Sequence, residues 1–359
     1  MRENSKIFVN SRFLTQRITG SQRFAIEISK QLKKLQPNRF VFVAPKNIVH
    51  FDIANELDVR TVGFNTGHLW EQIDLPMYLK KHNNPLLINL VNTAPIFYGN
   101  KIVTVHDISW YHFSDYVTPK FYYYYKILIP RVIKNSKKIF TVSFFSRDDI
   151  IKSLNLKDIK IDVVYNSVSD KFKFLNLERE KIILSVASLQ PYKNISNLIK
   201  AFILLKTNNK FNNYKLTLVG SINKKIFSKT DIFEISKGRD DIIFAEYVSD
   251  DKLIEYYNKA EVFVLPSLFE GFGIPPLEAM ACGCPCVVSN VASLPEVCGD
   301  AAYYVNPYDV KDIADGIEKV LTDENLRDDL IKKGFENVKR FSWESSARKI
   351  IEIIDSLDA

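Results

Sequence analysis

The sequence predicts an α/β protein built from two doubly wound parallel-sheet domains, and three observations carry that prediction. Short runs rich in β-branched and aromatic residues alternate with longer amphipathic stretches, the pattern of parallel strands joined by crossover helices. The alternation comes as two series, separated by the polar, aperiodic stretch SVSDKFKFLNLERE at 167–180. The length of 359 residues exceeds what a single hydrophobic core usually serves but suits two.

In the first series KIFVN (6–10), FVFVA (40–44), LLINLV (86–91), KIVTVHD (101–107), KIFTVS (138–143) and IDVVYN (161–166) read as buried strands. Helical periodicity is clearest over 21–35 and 119–135. The second series is KIILSVAS (181–188), KLTLVGS (215–221), IIFAEYVS (242–249), VFVLPS (262–267), PCVVSN (285–290) and AAYYVNP (301–307). Helical stretches near 194–208, 250–260, 276–282 and 309–339 separate most of these strands. The domains expected are therefore 1–168 and 169–340. The remainder, 341–359, opens on a Ser342 cap signal and reads as a C-terminal helix that packs back on the first domain. In such sheets ligands bind outside the carboxyl ends of the strands, so the residues that follow strands are the ones to weigh.

Composition narrows the class. Hydrophobic content of 46% and charged content of 25% are ordinary for a globular protein. The start, MRENSKIFVNSRF, has no signal-type apolar core, and no run approaches the ~20 apolar residues of a membrane span. A soluble, cytoplasmic protein is expected. Net charge is +7, but residues 1–170 hold 24 Lys/Arg against 14 Asp/Glu while residues 171–359 hold 25 against 28. A basic first half suits an anionic acceptor or an anionic membrane surface, with incidental surface composition as the lesser alternative. The stretch KFYYYYKILIPRVIKNSKK (120–138) reads first as the crossover helix the first domain requires, with a snorkelling basic edge; a helix lying on an anionic membrane is the alternative. No nucleic-acid partner is expected. Cys282, Cys284, Cys286 and Cys298 lack the spacing and histidine partners of a zinc site, so they are read as small residues packing a buried strand, and no metal is expected.

The densest chemistry follows the strand VFVLPS, in LFEGFGIPPLEAMACG. Gly271 and Gly273 allow close backbone approach to a ligand. Pro275 and Pro276 suit the first turn of a helix, whose free amides make a phosphate site. Glu270 in the loop and Glu278 in the helix can accept hydroxyl hydrogens from a sugar and a ribose. A glycosidase pair is disfavoured, because its two carboxylates flank one bond and seldom come from one short loop and helix. A nicotinamide dehydrogenase is disfavoured too, since no G-x-G-x-x-G follows a first strand. His106, at the end of KIVTVH, faces the ligand edge; as a lone histidine it is also readable as a core residue bonded to Asp107 or to backbone. Gly20 and Ser21 fall in the loop after the first strand, suited to close approach to phosphate or acceptor.

Glu270 and Glu278 with seven residues between them, in PSLFEGFGIPPLEAMACGCPCVVS, resemble the signature of glycosyltransferase family 4, the retaining enzymes of GT-B architecture. The resemblance extends through TGSQRFAIEISKQL, LWEQIDLP (69–76), TVHDISW (104–110), VSFFSRDDI (142–150), VVYNSV (163–168), SLQPYKN (188–194) and AEYVSDDKL (245–253). It implies that Glu278 binds the donor ribose, and that Glu270 with the amides of Gly271, Phe272, Gly273 and Ile274 holds donor sugar and phosphate. It implies that Lys193 neutralises the diphosphate and that His106 contacts the transferred sugar. Family members usually place an arginine beside this lysine; here Tyr192 stands there, with Arg23 near Gly20 and Ser21 as a substitute. The implied reaction needs no cofactor and no metal, because Lys193 and the helix start stabilise the departing diphosphate. The implied donor is a nucleotide-diphosphate sugar, GDP-mannose first, and the implied acceptor a glycan or polyprenyl-linked glycan of surface polysaccharide. A non-catalytic nucleotide-sugar-binding protein on the same fold is the alternative, which the Tyr192 departure keeps open.

Overall fold

A computed structural model describes residues 6–157, 159–220, 231–246 and 248–357. Residues 221 and 247, which the sequence reading includes in strands, lie outside the described residues. The chain forms two compact units, one of residues 1–166 with 342–359 and one of residues 167–341.

The first unit holds a seven-stranded sheet: β1 (Ile7–Asn10), β2 (Phe40–Ala44), β3 (Arg60–Thr61), β4 (Leu87–Asn89), β5 (Lys101–Thr104), β6 (Lys138–Thr141) and β7 (Ile161–Val163), in the order β3-β2-β1-β4-β5-β6-β7. Every pairing is parallel. Strands covered on both faces are buried along their whole length, and β1, β2 and β5 are buried at every position, with polar residues only at their ends. Only β3 escapes the sequence reading: it is two exposed residues long, too short to carry a period.

The second unit repeats the plan with β8 (Glu180–Val186), β9 (Lys215–Val219), β10 (Ile242–Ala245), β11 (Ala260–Leu265), β12 (Cys286–Ser289) and β13 (Ala302–Val305), ordered β10-β9-β8-β11-β12-β13 and again all parallel. Its core joins Ile183, Leu218, Val262 and Val264 of the strands to Leu198, Phe202 and Ile317 of the covering helices. In both sheets the strand order reverses beside the first strand, between β1 and β4 and between β8 and β11. Those are the positions where this topology opens a crevice.

The final helix, Trp343–Leu357, belongs with the first unit. The Ser345 amide donates to the Ser342 hydroxyl at 3.3 Å at its start. It runs along Gly20–Leu35, with the Phe24 and Trp343 rings 6.1 Å apart and Arg39 paired to Asp355 at 2.6 Å. The basic aromatic stretch forms the helix Pro119–Lys134 between β5 and β6, as the crossover reading expects. Leu128, Ile129, Val132 and Ile133 are buried, whereas Tyr123 and Ile127 are more than half exposed beside the exposed Lys126 and Arg131.

The four cysteines are free and buried. Burial pushes the thiols of Cys282, Cys284 and Cys298 up to about 12, so they stay protonated and act as small packing residues. Among the described residues no group of three His, Cys, Asp or Glu side chains is placed to hold a metal ion. No described helix is long and apolar enough to cross a membrane.

Lys101, the first residue of β5, is fully buried. Its ammonium donates to the carbonyls of Tyr98 at 2.6 Å and Asn135 at 2.7 Å. Burial pushes it from the ordinary 10.5 down to about 8. Between those values the unfolded chain binds more protons than the folded one, so this lysine makes stability rise with pH across that window. Relative to Lys101→Met, the wild-type melting temperature should therefore gain from pH 8 to pH 10.5 and hold a constant offset below pH 8. Parallel thermal melts across pH check this; an offset that never changes would remove the titrating lysine.

Candidate active site

The second unit builds its polar site where β11 ends. Gly273 has φ of +101°, a backbone shape that side chains resist, and a Cβ there would meet the Leu294 side chain at 2.8 Å. That turn feeds the helix Ile274–Ala281, with Pro275 and Pro276 in its first turn. The first amides of a helix have no partner within it. Ser293 fastens the loop from outside, its hydroxyl donating to the carbonyls of Glu270 at 2.9 Å and Phe272 at 2.7 Å.

Glu270 is buried. Its Oε1 accepts from the Lys193 ammonium at 2.7 Å and from the Ser267 hydroxyl at 2.9 Å. Lys193 closes the short 3-10 turn Pro191–Lys193 after β8. Asn194 follows in left-handed conformation, φ 60°, and its side-chain amide donates to the carbonyls of Pro266 and Pro307 at 3.0 and 2.7 Å. The Leu268 amide donates to the Tyr192 carbonyl at 2.7 Å. Lysine turn and glycine loop are thus one rigid piece, although 77 residues separate Lys193 from Glu270. Tyr192 puts its ring 5.2 Å below the Lys193 ammonium; an aromatic face supports the cation where the family places a second one.

Glu278 projects from the same helix and is also buried, its Oε2 accepting from the Tyr257 hydroxyl at 3.0 Å. Burial and the neighbouring Glu278 carboxylate hold the Tyr257 phenol far above its ordinary range, so it is always the donor. Lys193, Glu270, the loop 271–274 and Glu278 therefore come together in one unit. Sequence reasoning did not single out Ser267, Ser293, Asn194 as a tether, or Tyr257.

The other candidates lie in the first unit. His106 follows β5 and is buried, its ring edge-on to Phe24 at 5.0 Å. The His106 amide donates to Asn92 Oδ1 at 2.8 Å. Nε2 stands 2.9 Å from the Leu90 carbonyl, which can only accept. Burial pushes the imidazole below its ordinary range, against opposing effects of Leu90 and Asp107. The ring is thus neutral with its proton on Nε2, and Nδ1 offers a lone pair. The backbone bond is with Leu90, not Asp107, whose Oδ1 accepts from the Ser109 amide at 2.9 Å.

Gly20 and Ser21 are not in a loop. They open the helix Gly20–Leu35, because Thr19 caps it and its own amide donates to Gln22 Oε1 at 3.2 Å. Arg23 lies within the same first turn, its amide bonded to the Thr19 carbonyl at 2.9 Å. Phe24, the next residue, is the one that touches His106.

A family signature described as "Glycosyl transferases group 1" matches residues 167–337. The O-antigen chain mannosyltransferase RfbU of Salmonella typhimurium is 34% identical over 248 residues, 68% of this chain and 67% of that protein. The O-antigen chain mannosyltransferase B of Escherichia coli is 33% identical over 262 residues, 70% and 68% of the two chains. The chain belongs to the group 1 glycosyl transferases. Among solved structures, WaaG, a glycosyltransferase involved in lipopolysaccharide biosynthesis, superposes with a TM-score of 0.73 over 97% of this chain and 99% of its own, at 16% identity. That likeness bears out the GT-B architecture of two parallel-sheet domains.

A carboxylate can accept more than one hydroxyl hydrogen, so the expectation that Glu278 takes a diol of the donor is open to a direct test. Glu278→Ala should weaken nucleoside diphosphate binding by about 1.5–3 kcal/mol, the scale of hydrogen bonds to a charged group. Tyr257→Phe should weaken it less, by freeing the carboxylate to move. Calorimetry on folded variants checks both, and unchanged affinity in Glu278→Ala would end the diol assignment.

Proposed function

We propose that this glycosyltransferase moves mannose, with retention of configuration, from GDP-mannose to a glycan or polyprenyl-linked glycan during assembly of a surface polysaccharide of O-antigen or capsule type. One observation carries the donor side: Lys193, Glu270 and Glu278 are gathered around a glycine loop that ends in a helix start. One cation, two carboxylates and a helix start are the groups that one diphosphate and two sets of hydroxyls call for. The names of the two mannosyltransferase relatives support mannose and the O-antigen context.

In this reading Glu278 holds the ribose and Glu270 the hydroxyls of the mannose. The bond from the anomeric carbon to the phosphate oxygen lengthens, charge collects on the diphosphate, and Lys193 with the amides of 271–274 stabilises it. The acceptor hydroxyl adds on the face the diphosphate leaves, so configuration is kept, and its proton passes to a phosphate oxygen. His106, neutral, accepts a hydrogen bond from a hydroxyl of the sugar through Nδ1. Turnover depends on no metal and no cofactor. Activity sits at an anionic membrane face on the cytoplasmic side, where a polyprenyl-linked acceptor would be met; the exposed edge of Pro119–Lys134, with Tyr123, Lys126 and Arg131, supports this.

Incubation with a panel of nucleotide sugars and a lipid-linked glycan should give transfer with GDP-mannose, undiminished by excess chelator. Transfer from another nucleotide sugar alone, or loss on chelation restored by magnesium, would replace this reading. His106→Ala should melt near wild type and bind GDP normally while kcat falls roughly ten- to hundredfold, the scale of one lost hydrogen bond in the transition state. Wild-type kcat in that variant would leave His106 a packing residue only.

A further inference from the structure

A second polar cluster stands in the first unit, at the carboxyl edge of β1 and β4 where the strand order reverses. Asn10 closes β1 and Asn89 closes β4, and the Asn10 amide donates to Asn89 Oδ1 at 2.9 Å. The same amide donates to Glu71 Oε1 at 2.9 Å. Arg12, also buried, brings Nε to Glu71 Oε1 at 3.2 Å and donates from Nη2 to Thr93 at 2.7 Å. All of this holds one oxygen of the carboxylate.

The other oxygen, Oε2, is buried without a hydrogen-bond partner. It faces Nδ1 of His68 at 3.5 Å, an atom equally buried and unpartnered. Burial alone would raise the Glu71 carboxyl, but Arg12, His68 and Thr93 together hold it below the ordinary range, so it is ionised. Glu71 belongs to a π-helical turn, Trp70–Asp74, set between the helical residues Gly67–Leu69 and Leu75–Lys80. Such turns are rare and concentrate at functional sites. The His68 side chain is nonetheless 40% exposed. With Nδ1 turned inward, its outer edge carries Nε2, which no described residue bonds. The Tyr124 ring lies 5.0 Å from the imidazole and the Tyr125 ring 6.3 Å.

The buried Glu71 carboxylate holds Nδ1 of His68 inward and so leaves Nε2 at the outer edge of the ring. We infer that His68, oriented by Glu71, binds the sugar acceptor, its Nε2 hydrogen-bonding an acceptor hydroxyl while Tyr124 packs on the C–H face of the ring. Glu71 is a positioning residue that acts through His68. The naming of a sugar rests on the glycan acceptor proposed above. No proton is transferred; the imidazole fixes where the hydroxyl lies.

Saturation-transfer NMR on the full chain, without donor, tests this with methyl α-D-mannopyranoside, glucopyranoside and galactopyranoside at millimolar concentration. The wild type should bind at least one of them. His68→Ala should weaken that binding about tenfold or more, and His68→Gln, whose amide oxygen reaches the Nε2 position, should restore part of it. In the transfer assay Glu71→Gln and His68→Ala should raise the acceptor KM and leave the GDP-mannose KM unchanged. Because His68 is partly exposed, its variants remain informative should Glu71→Gln fail to fold. Unchanged glycoside binding in His68→Ala, or no glycoside binding by the wild type, would overturn the inference. Binding lost in His68→Ala without any turnover of GDP-mannose would support the inference and count against the donor proposed above.

Discussion

Parallel strand pairing is the constraint on which the rest of this molecule depends. In a parallel sheet every strand ends at the same edge, and every crossover helix must begin there. The edge therefore collects helix starts, with their unpaired amides, and the first polar residues after each strand. Lys193 after β8, Glu270 after β11 and His106 after β5 all stand there for that one reason. Chemistry gathers at the edge because the interior of such a sheet, apolar on both faces, has no room for it.

Given that edge, long-range ties decide which groups meet. Ser293 reaches back 23 residues to the Glu270 carbonyl, and Asn194 reaches forward to the carbonyls that end two other strands. Each tie gives a backbone oxygen a hydrogen-bond donor, and a buried oxygen left without one costs roughly 1–3 kcal/mol. The glycine loop is rigid through these bonds, and its one left-handed residue is tolerable because no side chain competes with Leu294 for the space. The first unit uses the same device differently: Asn10, Arg12 and Thr93 converge to hold one carboxylate in place.

Much of this was legible in the sequence because it is local. Strand periods, the paired prolines, the two glycines and the spacing of Glu270 and Glu278 all lie within one short stretch each. Ser267, Ser293, Tyr257 and the Glu71 cluster were not legible as partners, since their meaning comes from residues 21 to 61 positions away or, for Ser267, from a loop conformation that no spacing encodes. Gly20 and Ser21 were placed in a loop because glycine reads as a breaker, whereas the Thr19 cap pulls both into the helix. The protonation of His106 was hidden as well: it depends on the Leu90 carbonyl, sixteen residues earlier on the adjacent strand's end.

The Lys193–Glu270 pair gives the site a character of its own. A cation already neutralised by a buried carboxylate presents little net attraction to a passing anion. Entry of a diphosphate is then an exchange of counterions: as the ammonium turns to phosphate, Glu270 is left with fewer donors and must find others. A donor carrying its sugar supplies hydroxyls for it; inorganic phosphate, or a nucleoside diphosphate stripped of its sugar, supplies none. On the proposed reading the pair is a filter that favours the intact donor over the small anions and spent product that share its charge, with selectivity arising from what the displaced carboxylate needs next.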